Sequence, residues 1–171
     1  MTGRRLAVAA ALWLAGPSAA MAQGSGVEGR WVIAKATLAP WADPLQRGGP
    51  EEERRLVGRT VTFGPNVVTG PPPLGCRPAT YSVHDDTADL LFEGGLAEPD
   101  AHGRPRNAVA LAQGLGMTTK RVRTVETGCS EVAYHRLSPA TLVFGLNKRI
   151  YTMHPAPQSL RAPSATGSGG R

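Results

Sequence analysis

The sequence predicts an all-β protein, an antiparallel meander barrel of about eight to nine strands with one or two short helices. Short segments alternate apolar and polar residues with a period of two, and tight turns join neighbouring segments. Only two short segments carry helical signals. A chain of 171 residues is long enough for one such domain and too short for two.

Nine segments have the composition and periodicity of strands. They are Arg30–Ala39, Thr60–Phe63, Val67–Thr69, Thr80–His84, Ala88–Glu93, Lys120–Glu126, Glu131–Leu137, Thr141–Leu146 and Arg149–Met153. The period of two predicts which side chains face the interior. These are Val61, Phe63, Tyr81, Val83, Val132, Tyr134, Leu142 and Phe144. Because aromatic residues make up only 5% of the chain, we expect side chains to fill that interior incompletely.

Two short helices interrupt the strands. The segment Pro50–Gly58 begins with proline, has acids in its first turn and arginines in its last, and ends with glycine. The segment Asn107–Gly116 begins with a capping asparagine and repeats apolar residues at helical spacing. Its expected role is to plug one end of the barrel or to cover an edge. The polar loop Gly94–Arg106 before it is interpreted as either a mobile loop or a binding loop.

The two ends of the chain differ from its body. Residues 1–22 combine a cationic start, an apolar stretch and small residues at Ala20 and Ala22, which are the features of a signal peptide. We therefore predict a periplasmic or secreted protein without a transmembrane segment, because the apolar stretch is too short to span a bilayer. Residues 23–154 form the predicted β-barrel domain, and residues 155–171 are predicted to be a disordered tail.

Charge argues against nucleic acid as a partner. The 19 basic and 13 acidic residues give +6, and removal of Arg4 and Arg5 with the signal peptide leaves 17 basic residues and a net charge of +4. The basic residues are dispersed and are not interleaved with aromatic residues. We expect no nucleic-acid partner, no cofactor and a monomer.

The two cysteines, Cys76 and Cys129, are predicted to form a disulfide. An even cysteine count in a small exported domain favours pairing. A catalytic thiolate beside His84 or His135 is the open alternative. A zinc site fits less well, because the chain has no C-x-x-C motif and no paired histidine spacing.

The start of the first strand resembles a known family. Gly29-Arg30-Trp31 is similar to the G-x-W motif that begins lipocalin-like barrels. The resemblance implies that Gly29 and Trp31 close one end of the barrel, with the tryptophan packed against a late arginine, either Arg136 or Arg149. The chain lacks the T-D-Y motif of that family and inserts a helix, so the resemblance concerns architecture and implies no ligand.

No catalytic or metal-binding set emerges from the sequence. In His84-Asp85-Asp86, adjacent strand residues point to opposite faces, so His84 and Asp85 do not orient each other. His135 is predicted to face away from Tyr134. Glu98, Asp100 and His102 would hold a cation only weakly, because they lie on one flexible loop.

The functional expectation is a non-catalytic, lipocalin-like protein that binds a small apolar or amphiphilic molecule or an envelope component. Trp41 is expected at the barrel entrance or as a lid over its end, with Lys35 and Arg123 near the cavity to bind an acidic head group. The alternative is a secreted interaction protein, such as a hydrolase inhibitor, that acts through its loops. A hydrolase fits least, because no nucleophile, base and orienting group are visible.

Overall fold

The structure, a computed structural model, describes residues 24–42 and 50–157. The predicted signal peptide with its cleavage site, and the part of the predicted tail from residue 158 onward, lie outside these ranges.

Eight strands form one antiparallel sheet that curls into a half-barrel. They are β1 (Gly29–Leu38), β2 (Thr60–Phe63), β3 (Val68–Thr69), β4 (Ser82–Asp86), β5 (Val122–Glu126), β6 (Ala133–Ser138), β7 (Thr141–Leu146) and β8 (Arg149–Pro155). The order across the sheet is β3-β2-β1-β8-β7-β6-β5-β4. The mostly β, antiparallel meander predicted from the sequence is therefore confirmed.

The half-barrel has two edges, β3 and β4, and within the described ranges no ladder joins them. Other contacts hold the edges together. Ala79 N–H donates to Asn66 O at 2.9 Å, and Tyr81 OH donates to Gly64 O at 2.7 Å. Two-residue β3 offers too little backbone for a full ladder, and these loop and side-chain contacts link the two edges instead. Complete closure of the barrel stays a prediction.

The sheet buries apolar side chains on both faces. Side chains alternate along β7, so that Leu142 and Phe144 join one cluster while Val143 joins another. The first cluster includes Ile33 and Val61 from the far side of the strand order, so it fills the concave face. The second cluster lies on the convex face. The sheet therefore differs from a simple barrel, which buries side chains on its inner face alone.

Large side chains occupy the concave face. Tyr134, Phe144, Tyr151 and Met153 are each 0–1% exposed. The rings of Phe144 and Tyr151 stack with centroids 5.0 Å apart. The expectation of a sparsely filled interior does not hold for these positions, because a few large rings fill the space despite the low aromatic content. Of the predicted inward residues, Val83 differs most, being 43% exposed on the edge strand β4.

The first helix, α1 (Pro50–Leu56), packs on the concave face through Leu56. Its acidic residues bind the end of the sheet: Glu52 accepts from Tyr151 OH at 2.8 Å, and Glu53 pairs with Arg149 at 2.8 Å. The predicted helix is confirmed, and two of its three consecutive glutamates have partners in the sheet.

The second helix, α2 (Ala108–Gly114), packs on the convex face. Asn107 caps it, because its side chain accepts from Ala110 N–H at 3.0 Å, as the sequence predicts. Ala112 of this helix and Leu96 of the preceding loop are fully buried in the convex cluster. This helix therefore covers a face of the sheet, whereas the sequence led us to expect a plug or an edge cover.

Two predicted boundaries change. Residues 88–93 form turns, although their apolar run predicted a strand. Phe92 and Glu93 have φ angles of 55° and 57°, in the left-handed region that a strand cannot contain. At the other end, β8 includes Pro155, and Ala156 N–H donates to Arg30 O at 2.8 Å. The last strand thus extends past its predicted end at Met153.

Candidate functional site

A surface cleft of about 250 Å³ opens where the convex cluster meets the end of β6 and β7. We call it the Trp41 cleft. Its lining includes Trp41, Phe92, Glu93, Glu131, His135 and Asn147. These residues come from four separate parts of the chain, so the cleft exists only in the folded protein.

Glycines seat the Trp41 ring. A Cβ atom built on Gly95 would lie 2.8 Å from Trp41 Cε3, closer than such atoms approach one another. Only a glycine therefore lets the ring lie against this backbone. On the other side, a Cβ on Gly145 would lie 3.2 Å from Phe92 Cδ1. The centroids of the Trp41 and Phe92 rings are 5.4 Å apart. The tryptophan stays half-exposed, so it presents aromatic surface to the cleft.

His135 anchors the turn that carries Phe92. The Phe92 N–H donates to His135 Nε2 at 3.1 Å, and His135 Nδ1 lies 2.9 Å from Thr124 Oγ1. Since Nε2 accepts, the proton of the neutral ring is on Nδ1. The Phe92 ring packs edge-on against the imidazole at 4.7 Å. Both ring nitrogens are therefore occupied, and His135 holds the cleft in shape.

Burial decides the charge of His135. Its side chain is deeply buried, which lowers its pKa to about 4. The Asp86 carboxylate opposes this shift weakly, and His84 adds slightly to it. His135 is therefore neutral at neutral pH, and the cleft contains no positive charge from this ring.

Unusual backbone conformations converge on the cleft. Within the described ranges, the non-glycine residues with positive φ are Phe92, Glu93 and Asn147, and all three line the Trp41 cleft. Asn147 is ordinary in this respect, because asparagine tolerates the left-handed region in a hairpin turn. Phe92 and Glu93 are unusual in the left-handed region, because this conformation costs a residue with a side chain about 1–2 kcal/mol.

The charged groups at the cleft are acidic. Glu93 and Glu131 are both exposed, and among the described residues that line the cleft none is lysine or arginine. Asn147 is held by a hydrogen bond from its Nδ2 to Glu52 of α1. The cleft therefore combines two aromatic rings, two carboxylates and an amide.

The structure does not bring Trp41, Lys35 and Arg123 together. Lys35 is exposed and pairs in register with Thr152, on the face opposite to Tyr151 and Met153. Arg123 lies on the concave side at the β4 edge, beside Val83. Trp41 packs on the convex face, so it is not at the mouth of the interior. The three side chains therefore do not line one cleft in this structure.

A histidine–carboxylate pair lies on β4. His84 Nε2 is 3.2 Å from Asp86 Oδ2, and the Asp86 carboxylate is nearly buried. Alternation along the strand places Asp85 on the face opposite to His84, and it places Asp86, two residues on and not considered from the sequence, on the same face. His84 also lies beside Thr124 in the strand register, and Thr124 beside His135. The two-residue alternation of side chains along a strand is the sequence signal that could have predicted the pairing of His84 with Asp86.

The cysteines are paired. The Sγ atoms of Cys76 and Cys129 are 2.10 Å apart, at disulfide-bonding distance, as the sequence predicts. The bond joins the segment after β3 to the turn between β5 and β6, and so it ties the two sides of the half-barrel together. A bonded sulfur is not available as a nucleophile, which argues against the alternative of a catalytic thiolate.

The end of the sheet at Gly29 and Trp31 is packed. Gly29 begins β1, and Trp31 is 4% exposed and donates from Nε1 to Val27 O at 2.8 Å. Arg136 lines the same cleft as Trp31, whereas Arg149 pairs with Leu38 at the other end of β1. Of the two arginines named from the sequence, the structure therefore places only Arg136 near the tryptophan.

One of the loop acids named from the sequence, Asp100, has partners within the loop. Asp100 accepts from the backbone of His102 at 2.8 Å and pairs with the Arg104 side chain at 2.7 Å. Arg104 and these hydrogen bonds lower the pKa of Asp100 to about 2. In the part of the chain that the structure describes, no group of three or more His, Cys, Asp or Glu side chains could hold a metal ion.

The fold defines a curled, two-faced antiparallel sheet with a cleft on its convex side. No protein-family model, no curated protein and no solved structure matches the chain. Over residues 24–42 and 50–157, no helix is long and apolar enough to span a membrane.

Proposed function

We propose that this protein is a non-catalytic, exported binding protein whose small ligand occupies the Trp41 cleft. The observation that carries this proposal is the convergence of Phe92 and Glu93, both in the left-handed region, on the glycine-seated Trp41 ring. Backbone strain persists only where surrounding contacts enforce it, and it concentrates at functional sites. Here His135 supplies the enforcing contact.

The chemistry of the cleft favours a cationic ligand with a flat or apolar part. The half-exposed ring of Trp41 offers stacking and cation–π contacts, with the largely buried Phe92 packed behind it. Glu93 and Glu131 stand at the rim with negative charge. The sequence pointed to an amphiphile with an acidic head, because Lys35 and Arg123 were expected at the same site. Neither residue lines the Trp41 cleft, so the charge preference there reverses.

Packing supports this location over the interior. The concave face carries the fully buried rings of Tyr134, Phe144 and Tyr151, which leave their positions closed to a ligand. The Trp41 cleft is open, and its aromatic side chain is half-exposed. Export is supported by the signal features of the N-terminus and by the disulfide.

A lipocalin-like relationship is part of the proposal. It is supported by Trp31, which is buried at the start of β1, and by Arg136, which lines the same cleft as that ring. The curled meander of eight strands agrees with such an architecture. The ligand site proposed here lies on the convex face.

A fluorescence titration tests the function. The mature protein has two tryptophans, Trp31 and Trp41, and only Trp41 is half-exposed. Benzyltrimethylammonium is the probe, and its uncharged analogue neopentylbenzene is the comparison. We expect a saturable change in emission with the cation and a change at least about tenfold weaker in apparent affinity with the neutral analogue.

Matched variants locate the site. Glu131→Gln removes a charge at the cleft, and Glu126→Gln removes the same charge from an exposed position on β5, outside the cleft. The first should weaken binding, and the second should leave it unchanged. The absence of a saturable change with either compound would overturn the proposal and favour the interaction-protein alternative.

A further inference from the structure

Two arginines lie directly opposite each other on the concave face. Arg123 on β5 and Arg136 on β6 are register partners. They lie on the same face as Val125 and Tyr134 of the concave cluster. Directly opposed like charges destabilise a sheet, and their Cβ atoms are about 4.5–5.5 Å apart in such pairs. This arrangement therefore requires compensation.

The two guanidinium groups converge on Gly26. A Cβ atom built there would lie 2.9 Å from Arg136 Nη1 and 3.4 Å from Arg123 Nη1. The residue has a φ of 80°, and Arg136 donates to its carbonyl oxygen. A side chain at this position would thus meet both guanidiniums. Because Gly26 has no side chain, the Nη1 atoms of Arg123 and Arg136 lie close to one point at the surface.

Among the described residues, no carboxylate lies within ion-pair distance of Arg123 or Arg136. Ion pairs among these residues join Arg104 to Asp100 and Arg149 to Glu53, and the Asp86 carboxylate contacts the His84 ring. Asp85 is the register partner of Arg123 but forms no ion pair with it.

Glu28, which lines the same cleft as Arg136, already has hydrogen-bond partners. It accepts from Ser25 Oγ and from Gly26 N–H, each at 2.9 Å. Burial acts to raise the pKa of Glu28, but hydrogen bonds from its own backbone, from Ser25 and from Gly26 outweigh burial and lower it. Glu28 is therefore an anion that shapes the segment beside the arginines without pairing with them.

We propose that Arg123 and Arg136 form a binding site for an oxyanion, a phosphate or carboxylate group of a ligand. Paired guanidiniums match the geometry of these groups and bind them through charge-assisted hydrogen bonds. Arg123 is exposed and Arg136 half-buried, so an anion can reach both. A cleft of about 520 Å³ lined by Arg30, Trp31 and Arg136 adjoins the pair and has room for the rest of a ligand. This site is separate from the Trp41 cleft.

Inorganic phosphate and lipid vesicles are the probes. Phosphate binding is followed by the Nε–Hε resonances of the arginines in ¹⁵N-labelled mature protein at low ionic strength. Vesicle binding is followed by co-sedimentation with phosphatidylglycerol and, in parallel, phosphatidylcholine. We expect phosphate to shift the Arg123 and Arg136 resonances saturably. We also expect Arg123→Gln to weaken phosphate binding at least about tenfold.

Two further variants separate the site from general charge. Lys35→Gln removes one positive charge from an exposed position on the opposite face, and it should leave phosphate binding unchanged. Arg136→Lys keeps the positive charge but loses the planar guanidinium with its paired N–H donors. It should weaken phosphate binding while the fold is retained. Phosphatidylglycerol binding that is lost in Arg123→Gln but kept in Lys35→Gln identifies a lipid head group as the source of the anion. Phosphate binding without vesicle binding identifies a soluble anion.

Three outcomes would overturn the proposal: no phosphate-induced shift at either arginine, unchanged phosphate affinity in Arg123→Gln, or equal losses in Arg123→Gln and Lys35→Gln. The last result would show attraction to net charge alone.

Discussion

Phe92 N–H donates a hydrogen bond of 3.1 Å to Nε2 of His135. This one contact joins the turn over the convex face to a buried strand position of β6. The bond requires an imidazole nitrogen without a proton, because a protonated ring has only donors to offer. The shape of the Trp41 cleft is therefore coupled to the protonation of His135.

Replacing His135 should remove a pH dependence of folding stability. Burial lowers the pKa of His135 to about 4 in the fold, whereas an unfolded histidine titrates near about 6.5. As the pH falls, the unfolded chain binds the proton first. The free energy of unfolding therefore decreases from just above pH 6.5 to about 4, by about 3 kcal/mol in total for this group, and then levels.

Urea denaturation across this range checks the prediction. His135→Gln should lower stability at neutral pH and flatten its decline in acid relative to the wild type. His102→Gln alters an exposed loop histidine and should keep the wild-type slope. An unchanged slope in His135→Gln would show that this ring does not sense the pH.

Glu93→Gly should stabilise the fold and weaken ligand binding. Glu93 is exposed and has a φ of 57°, a conformation that glycine adopts without strain. Relief of that strain is worth about 1 kcal/mol after the flexibility of glycine in the unfolded chain is counted. Thermal unfolding measures the gain, and the benzyltrimethylammonium titration measures the loss. Glu93→Gln should lose affinity without gaining stability, and a stability gain there would contradict the strain argument.

Gly95→Ala should displace the Trp41 ring. The added methyl group would lie 2.8 Å from Trp41 Cε3, so either the ring or the turn must move. We expect a loss of about 1–3 kcal/mol in unfolding free energy, together with a red shift of tryptophan emission as Trp41 becomes more exposed. Gly114→Ala is the control, because a Cβ there meets no atom within 4 Å. Unchanged emission in Gly95→Ala would show that the ring is not seated on this backbone.

Local signals in the sequence were sufficient for the regular elements. The bounds of Thr60–Phe63 and Thr141–Leu146 agree with β2 and β7, and the Asn107 cap lies where its side chain predicted it. Alternation along a strand and capping depend on neighbours a few residues apart. Such patterns can be recognised in the sequence without knowledge of the fold.

The turn at Leu91 and Phe92 was not predictable in the same way. A short apolar run fits a buried strand and a buried turn equally well, because periodicity cannot distinguish them. Its conformation is set by His135, 43 residues away in the chain. A contact so distant in the chain stabilises a left-handed backbone conformation at Phe92 that no local sequence pattern predicts.

The site was only partly visible for a related reason. The sequence singled out Trp41 as a contact residue, and the structure places it in a cleft, but the location of its ring depends on which face of the sheet its segment crosses. Both faces of the sheet bury apolar residues. A sequence that alternates apolar and polar residues on some strands and not on others leaves that choice undecided. Trp41 was therefore expected either at the barrel entrance or as a lid over its end.

Loss of the disulfide should loosen the two edges of the half-barrel. The bond spans 53 residues, and a loop of this length stabilises a fold by about 4 kcal/mol in the chain-entropy model. Double replacement of Cys76 and Cys129 by serine should lower the unfolding free energy by a comparable amount. Hydrogen exchange should quicken first at Ala79 and Thr80, whose amides donate to Asn66 O and Thr127 O near the bond. Uniform acceleration across all strands would show that the disulfide has no local role.

Two tyrosines of the concave cluster should respond oppositely to the loss of a hydroxyl group. Tyr134 is 1% exposed, and among the described residues its OH has no hydrogen-bond partner. Tyr151 OH, by contrast, donates to Glu52 at 2.8 Å. A buried hydroxyl without a partner loses its hydration and gains nothing in return, so Tyr134→Phe should stabilise the fold by about 1 kcal/mol. Tyr151→Phe should destabilise it by about 1–2 kcal/mol, because a hydrogen bond to a carboxylate is lost. Both variants keep the ring, so the difference in their midpoints of urea denaturation isolates the hydroxyl group, and a loss of stability in Tyr134→Phe would reveal a bound water or another partner at that oxygen.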